Sequence, residues 1–582
     1  MVIFSSNKSL HLAIELLNTA LKDLKTILSN VSLEIAPEKC KSVIFTRRRY
    51  SDPRNIYLND FLVPFATTVT YLGITLDTKL RWIPHIISLS SFTSRCSNFL
   101  RTVSNTWWGS HPSSLLSIYR SIIRSKLDYG CFLFGLAAYS NWKKINMLQS
   151  SCLRTIMGYV RSTPGPAIEV ETICPPFNIR CRWLAGKFIL KSLALSNHNI
   201  FDTFFSLYIT WRYTSKSMPV LSIAANSLAN FHQYVLNSFK LPLYDQPYES
   251  LLCTPLVQID NFSNFSNTEL KSMSSSFVNK LFSNFLNQNY PNFTIIYTDG
   301  SVSPVSAGYS FYIPELHITF SNNLPSSSSS FSAECFSILE ALLFISDLAP
   351  NNYLIASDSM SCLQSLISNP FNSKLSPLVF QIKSSIHILK QSNHHIQFLW
   401  IPSHIGIHGN ETADGLAKTA SNTILPPLAQ LPWSDFSPLL RSHITSLWSN
   451  CWNNLPAHFA SKYKNIVPNV SNKKTWFYNL DLPRSTIIRF NRLRVSHSLL
   501  PVHAYKLGLD DSPLCTLHSI ESVCDISHLL FDCPSLFTKR TFLFNYIKSL
   551  NIPPTLPYIL NTKTEMVIKK LINFFLEAGF AI

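Results

Sequence analysis

Apolar positions along the chain change period several times, and each change marks an element. Between 10 and 28, Leu10, Ile14, Leu17, Leu21, Leu24 and Leu28 recur at three- and four-residue steps, which predicts an amphipathic helix. A strand is predicted at 42–46, followed by the basic loop at 47–54 and by a strand pair across 69–77. Residues 85–126 and 142–158 read as helices with Arg and Lys on their polar faces, and stretches containing Pro or Gly punctuate 164–166 and 174–176. From 215 to 290 the periodicity is weak and Asn and Ser abound, so this stretch is expected to be a connecting segment.

The pattern is clearest from 293 onward. Strands are predicted at 293–299, 305–313 and 315–320, with Pro314-Glu315 at the second turn. After a Ser-rich loop come a helix over 333–347, a strand at 353–357, a short helix over 359–367 and a longer one over 376–391. A strand at 396–401 and a helix over about 410–421 complete the series. Three antiparallel strands followed by alternating strands and helices imply an α/β fold with a mixed five-stranded sheet and flanking helices. The Pro-rich stretch 425–438 reads as a linker.

Composition narrows the function classes. The chain has 582 residues, 46% of them hydrophobic and 13% aromatic, which is enough core for several domains and excludes wholesale disorder. The formal net charge is +17, which favours an anionic partner. That charge is uneven. Residues 1–291 hold 29 basic and 15 acidic side chains, 292–422 hold 4 and 8, and 423–582 hold 16 and 9. An acidic segment between two basic ones suggests metal chemistry held against a polyanion by its flanks. The 13 cysteines show no disulfide-like framework and suit small buried hydrophobes of an intracellular protein. The N-terminal stretch lacks a basic leader region and a cleavage site, and the most apolar run, 131–139, is far below spanning length. A soluble protein of the nucleus or cytoplasm, without a membrane partner, is therefore expected.

Four carboxylates occupy element ends or first turns on this layout. Asp299 ends a strand before a Gly300-Ser301 turn, and Glu334 opens the helix after the Ser-rich loop. Asp358 ends the strand at 353–357, and Asp414 lies in the first turns of the last helix. Neighbouring strands would bring Asp299 and Asp358 to one sheet edge, with the two helices aiming Glu334 and Asp414 there. Carboxylates so packed repel unless cations neutralise them, and Mg²⁺ favours such hard oxygen ligands. Each feature also has a plain structural role: an Asp-Gly turn, acids near helix N-termini, and a Ser-Asp-Ser helix cap.

The joint order shifts that balance. The matches YTDGS (297–301), SAECFSILEAL (332–342), IASDSMSCLQSL (355–366) and WIPSHIGIHGNETADGLAK (400–418) cover about 130 residues. They closely resemble the type 1 ribonuclease H domain, in the version carried by non-LTR retrotransposons of the Jockey-like group. The resemblance implies a ribonuclease H-like fold for 292–422 and makes Asp299, Glu334, Asp358 and Asp414 a catalytic set holding two Mg²⁺ ions, with Mn²⁺ a candidate substitute. It assigns His404 to proton transfer or product release, with Asn410 and Glu411 as secondary contributors. The implied reaction is endonucleolytic, two-metal hydrolysis of the RNA strand of RNA–DNA hybrids, leaving 5′-phosphate and 3′-hydroxyl ends. With four Lys and Arg in this segment, affinity for the hybrid should come from the flanks.

The flanks extend the resemblance. KCKSVIF (39–45), YLGITLD (71–77), LDYGCFLFG (127–135) and LQSSCLRTIMG (148–158) resemble the part of a non-LTR reverse transcriptase that follows the polymerase site. This implies a palm-end and thumb remnant at 1–160, a connection segment at 161–291, a linker at 423–438 and a mostly helical region at 439–582. By the resemblance, Met1 aligns just after the two catalytic aspartates, so polymerase activity is not expected and a truncated or mis-started reading frame is. At 514–534 the sequence resembles the CCHC-like element of these retrotransposons. Cys515 and His528-x₄-Cys533 fit, His518 stands at the second position with Cys524 nearby, and zinc accepts such a set; a packed hairpin is the alternative. Upstream, Arg484, Arg489, Arg492 and Arg494 are candidates for nucleic acid phosphate backbone contacts, or form a solvated basic face. The competing function class is a catalytically idle nucleic-acid-binding remnant.

Overall fold

The computed structural model describes residues 2–582 except 47, 49, 51–54, 59–60, 106–107, 135–138, 196–197, 215–217, 238–258, 263–266, 369–375, 424–428, 457–458 and 472–473. The chain divides into two units, Met1–Cys181 with Thr445–Ile582, and Arg182–Ile444. The second unit thus takes in the described part of the Pro-rich stretch 425–438. No helix among the described residues is long and apolar enough to cross a membrane.

A mixed sheet organises the second unit. In chain order its elements are β1 (Ile259–Asn261), α1 (Ser275–Asn289), β2 (Thr294–Val302), β3 (Ala307–Ile313), β4 (Ile318–Leu324) and α2 (Ser330–Ser346). Then follow β5 (Asn352–Ser357), α3 (Met360–Ile367), α4 (Pro377–Gln391), β6 (His395–Trp400) and α5 (His408–Ser421). The strand order is β1-β6-β5-β2-β3-β4. β6 runs parallel to both β1 and β5, β5 is parallel to β2, and the β2-β3 and β3-β4 pairs are antiparallel.

Strand alternation sends successive side chains to opposite faces, and here both faces are covered. Ile296, Phe311, Ile355 and Phe398 pack with Ile338, Leu363 and Ile382 of α2, α3 and α4. Tyr297, Leu354, Ala356 and Leu399 pack on the other face with Val278, Phe282 and Leu286 of α1 and Ala413 of α5. The apolar residues of α1 are four apart, a helical signal diluted by the surrounding Asn and Ser.

Two expectations for this unit need correction. The sheet has six strands rather than five, because Ile259–Asn261 pairs with Phe398–Trp400 at its edge. A three-residue strand ending in Asp260-Asn261 is too short and too polar for alternation to reveal. Gly300-Ser301, expected to be a turn, lies inside β2, where Gly300 pairs with Tyr309 and Ser301 with Gly308. The turn comes later, where Ser303 N–H donates to the Ser306 carbonyl at 2.9 Å. Glycine at 300 answers a different need: a Cβ there would lie 2.5 Å from Glu334 N and 2.6 Å from the Ala333 carbonyl carbon. Its absence lets α2 lie directly on the strand.

The first unit is mostly helical, including Leu10–Asn30, Ile83–Thr102, Tyr139–Met157, Arg484–Arg494 and Glu565–Glu577. Thr68–Tyr71 and Ile74–Asp77 form the expected strand pair. The strand expected at 42–46 shrinks to a single bridge between Ser42 and Phe65. Its partner segment contains Pro64, which accepts from Ser42 N–H but has no N–H to extend the ladder. Most of the basic loop at 47–54 lies outside the described residues.

Candidate active site and metal centres

Parallel pairing of β2 and β5 sets Thr298 opposite Ser357, so the next residues, Asp299 and Asp358, reach the same level of adjacent strands. Asp299 is therefore an interior residue of β2, while Asp358 follows the end of β5. On α2 the Ser329 hydroxyl accepts from Ser332 N–H at 3.2 Å, fixing where the helix starts. Glu334 then falls one turn in, against Gly300. On α5, Ser310 Oγ of β3 donates to the Ala413 carbonyl at 2.7 Å, which pins the helix beside Asp414. Asp299, Glu334 and Asp358 thus offer ligand oxygens all within 4.8 Å of one another. His404, Glu411 and Asp414 form a second such group.

Asp414 links the two groups, since its charge acts on both Asp299 and Asp358. His404 adopts a left-handed backbone (φ 55°), and its Nδ1 lies 4.0 Å from Asp414 Oδ2. Its side chain is 59% exposed, against 14% for Asp414. Asn410 is buried and its side chain hydrogen-bonds the Asp358 carboxylate. Glu411 Oε1 accepts from Gly406 N–H at 3.4 Å. Lys418 Nζ, 2.6 Å from Asp414 Oδ2, was not anticipated, although its i,i+4 spacing from Asp414 was legible.

The electrostatics call for cations. Asp299 is 5% exposed, and burial, followed by the charges of Asp358 and Asp414, pushes its carboxyl up to about 8. Glu334, 7% exposed, is driven well above the usual carboxylate range by burial and then by Asp299 and Asp358. Burial also raises Asp358, while the Asn410 hydrogen bond and His404 oppose the rise. Glu334 Oε2 is buried without a hydrogen-bond partner among the described residues. A buried, unpartnered carboxylate oxygen beside two further carboxylates suits a hard divalent cation.

The C-terminal element gathers a different donor set. Cys515 N–H donates to the Ser522 carbonyl and Cys524 N–H to the Pro513 carbonyl, each at 2.8 Å, closing a hairpin. Ligand atoms of Cys515, His518, His528 and Cys533 lie within 4.8 Å of one another, and Cys524 is outside that group. His518 Nε2 and His528 Nε2 are 3.0 Å apart. Two thiols and two imidazoles at this separation are chemically suited to zinc.

The arginines divide. Arg494, expected to meet phosphate, is instead buried and ion-paired through Nε to Glu171 Oε1 at 2.6 Å, which corrects that expectation. Tyr463 OH also donates to Glu171, and Arg494 Nη1 to the Leu560 carbonyl. Arg484 is buried and donates to the carbonyls of Asn105, Ser110, Thr155 and Ile156. Arg492 Nε donates to the Gly158 carbonyl at 2.8 Å. Arg489 is half-buried on the same helix. The solvated basic face considered from sequence is therefore largely interior.

Residues 291–422 match the family model described as RNase H. The RNA-directed DNA polymerase from mobile element jockey of Drosophila melanogaster is 31% identical over 196 residues, covering 32% of this chain and 20% of that protein. The probable RNA-directed DNA polymerase from transposon X-element, from the same organism, is 30% identical over 140 residues, covering 23% and 15%. The chain thus spans about a fifth or less of the length of these relatives. A solved foamy viral protease-reverse transcriptase in complex with dsDNA overlaps 23% of this chain and 96% of that one, at 24% identity and a TM-score of 0.20.

Proposed function

From the RNase H domain at residues 291–422, in a chain similar to Jockey-type retrotransposon polymerases, we propose hydrolysis of the RNA strand of RNA–DNA hybrids as this protein's reaction. The observation that carries the reading is the convergence of Asp299, Glu334 and Asp358 within 4.8 Å, with Asp414 coupled to the first and third. Those four carboxylates are the groups that would hold Mg²⁺. When bound, a pair of such ions supplies an activated water and neutralises charge on the attacking and leaving oxygens of a phosphodiester.

The chain's own residues do the rest. Asn410 orients Asp358 by hydrogen bonding. The exposed His404 ring, with Nδ1 toward Asp414, takes the role of carrying a proton to or from the reacting groups. Lys418 holds Asp414 Oδ2 and neutralises part of its charge. With 4 basic against 8 acidic residues, the segment 292–422 relies on the basic remainder of the chain for affinity. At the C-terminal element, Cys515, His518, His528 and Cys533 are proposed to bind zinc as a structural site. Metal analysis of the purified full chain should find about one equivalent of zinc, lost in Cys533→Ser; a zinc-free, folded wild type would contradict it.

Binding without turnover is the second reading, and the Lys418–Asp414 ion pair favours it, since an ammonium group already occupies a carboxylate oxygen there. Labelled RNA presented to the full chain as a hybrid with DNA, as an RNA duplex and as a single strand separates the two. Mg²⁺-dependent cleavage of the hybrid, with the other two substrates spared, supports the proposed reaction. Tight hybrid binding with no cleavage would leave the second reading standing.

A further inference from the structure

In the first unit, five arginines line one cavity of about 570 Å³: Arg101, Arg154, Arg161, Arg484 and Arg492, with no Asp or Glu among the described lining residues. They come from three places, the end of the helix Ile83–Thr102, the end of Tyr139–Met157 with the turn after it, and the helix Arg484–Arg494. The remaining lining is small or hydrogen-bonding, including Ser104, Asn105, Ser151, Thr155 and Gly158.

Contrast along the helix Arg484–Arg494 makes the cavity informative. Arg494 receives a carboxylate partner, Glu171. Among the described residues, Arg484 and Arg492 receive only backbone carbonyls. Carbonyls satisfy N–H groups without cancelling a full charge, and the C-terminal half-charges of the two helices that end here, Ile83–Thr102 and Tyr139–Met157, offset only part of five guanidinium groups. Burial lowers the proton affinity of Arg484 and Arg492, and that of Arg154 as well, so their charges lack the compensation that Arg494 has. Arg154 Nη2 donates to the Thr163 carbonyl, while its buried Nε has no hydrogen-bond partner among the described residues. Guanidinium clusters without carboxylates match the geometry of phosphate oxygens, which accept several N–H groups at once. Among the described lining residues Tyr159 is the one aromatic, and it is buried, so these residues offer no exposed ring for stacking a base.

We propose that this cavity binds a phosphate group of a nucleic acid strand, and so holds the chain on its substrate without reading sequence. The inference rests on the nucleic-acid reading of the preceding subsection, and it supplies the anchor that the acidic segment 292–422 lacks. Arg101 and Arg161 are exposed, so they can be altered without disturbing the buried hydrogen bonds of Arg484 and Arg492.

The test is fluorescence anisotropy of the full chain on a 16-nucleotide single-stranded DNA labelled at its 3′ end, over a series of salt concentrations. Arg101→Gln with Arg161→Gln should weaken binding about tenfold or more and reduce the salt slope by about 1–2. Lys22→Gln with Lys25→Gln removes the same charge from an exposed helix face and should change the affinity less than about twofold. Oligonucleotides with and without a 5′-phosphate identify the source: equal losses point to internal phosphodiesters, and a loss confined to the phosphorylated strand points to its end. An unchanged affinity and slope in the arginine pair, or an equal loss in the lysine pair, overturns the proposal. Because the readout is binding to a strand that is not hydrolysed, hybrid cleavage can fail while this result stands, and the reverse.

Discussion

Gly300→Ala is the substitution for which the structure gives the most definite outcome. The added Cβ would sit 2.5 Å from Glu334 N and 2.6 Å from the Ala333 carbonyl carbon, against an ordinary contact distance of at least 3.4 Å. Both atoms belong to the backbone of α2, so no side-chain rotation relieves the overlap. The helix must withdraw by roughly 0.9 Å, and the first residue it carries away from Asp299 and Asp358 is Glu334 itself. Overpacking of this kind costs about 1–3 kcal/mol of stability. A displacement near 1 Å in a reacting constellation costs about a hundredfold in rate. The turnover number for hybrid cleavage should therefore fall about a hundredfold with little change in KM, alongside a modest loss in urea stability. Gly415→Ala is the matched control: a Cβ there meets nothing within 4 Å, so the helix should gain roughly 0.5–1 kcal/mol and activity should persist. Activity within twofold of wild type in Gly300→Ala would refute the claim that the strand–helix approach positions Glu334.

Two further predictions concern the interior of the first unit. Burial pushes Glu169 from 4.5 up to about 8 against the opposing effects of Arg124 and Gln149. The folded state then holds a proton that the unfolded state releases, so the stability of this unit should fall by up to roughly 1.4 kcal/mol per pH unit between those values, with no contribution below about 4.5. Glu169→Gln should flatten the dependence in urea titrations; an unchanged slope would show that Glu169 ionises freely in the fold. Glu171→Gln leaves Arg494 buried without its carboxylate and should destabilise by about 3–5 kcal/mol, whereas a loss under about 1 kcal/mol would mean that water reaches the pair.

Legibility in the sequence followed the range over which each feature is determined. β2 through α5 showed in local periodicity, because strands covered on both faces and helices with a wide apolar stripe announce themselves in a few residues. The convergence of the carboxylates showed as well, although Asp299 lies inside its strand rather than at its end: the parallel pairing of β2 with β5 is what brings it level with Asp358. Gly300 misled because its dipeptide is common in turns, while its role depends on a helix more than thirty residues away. Arg494 misled for the same reason on a larger scale: Glu171, its partner, is separated by 323 residues. The edge strand Ile259–Asn261 has too few residues to carry a period. At the C-terminal element the spacing already put His518 at the second position, and the structure gathers Cys515, His518, His528 and Cys533 with Cys524 outside that group.

The central claim is that the buried carboxylates hold the cations on which RNA cleavage depends. Its most direct test compares wild type and Asp299→Asn on a labelled RNA–DNA hybrid with and without Mg²⁺. Asp299→Asn keeps the side chain's shape but removes its charge, and losing several kcal/mol of cation binding and transition-state stabilisation corresponds to a rate loss of about a thousandfold or more. The account predicts that loss with hybrid affinity retained, and wild-type cleavage only when Mg²⁺ is present. RNA-strand cleavage by Asp299→Asn at a rate near that of wild type would contradict it.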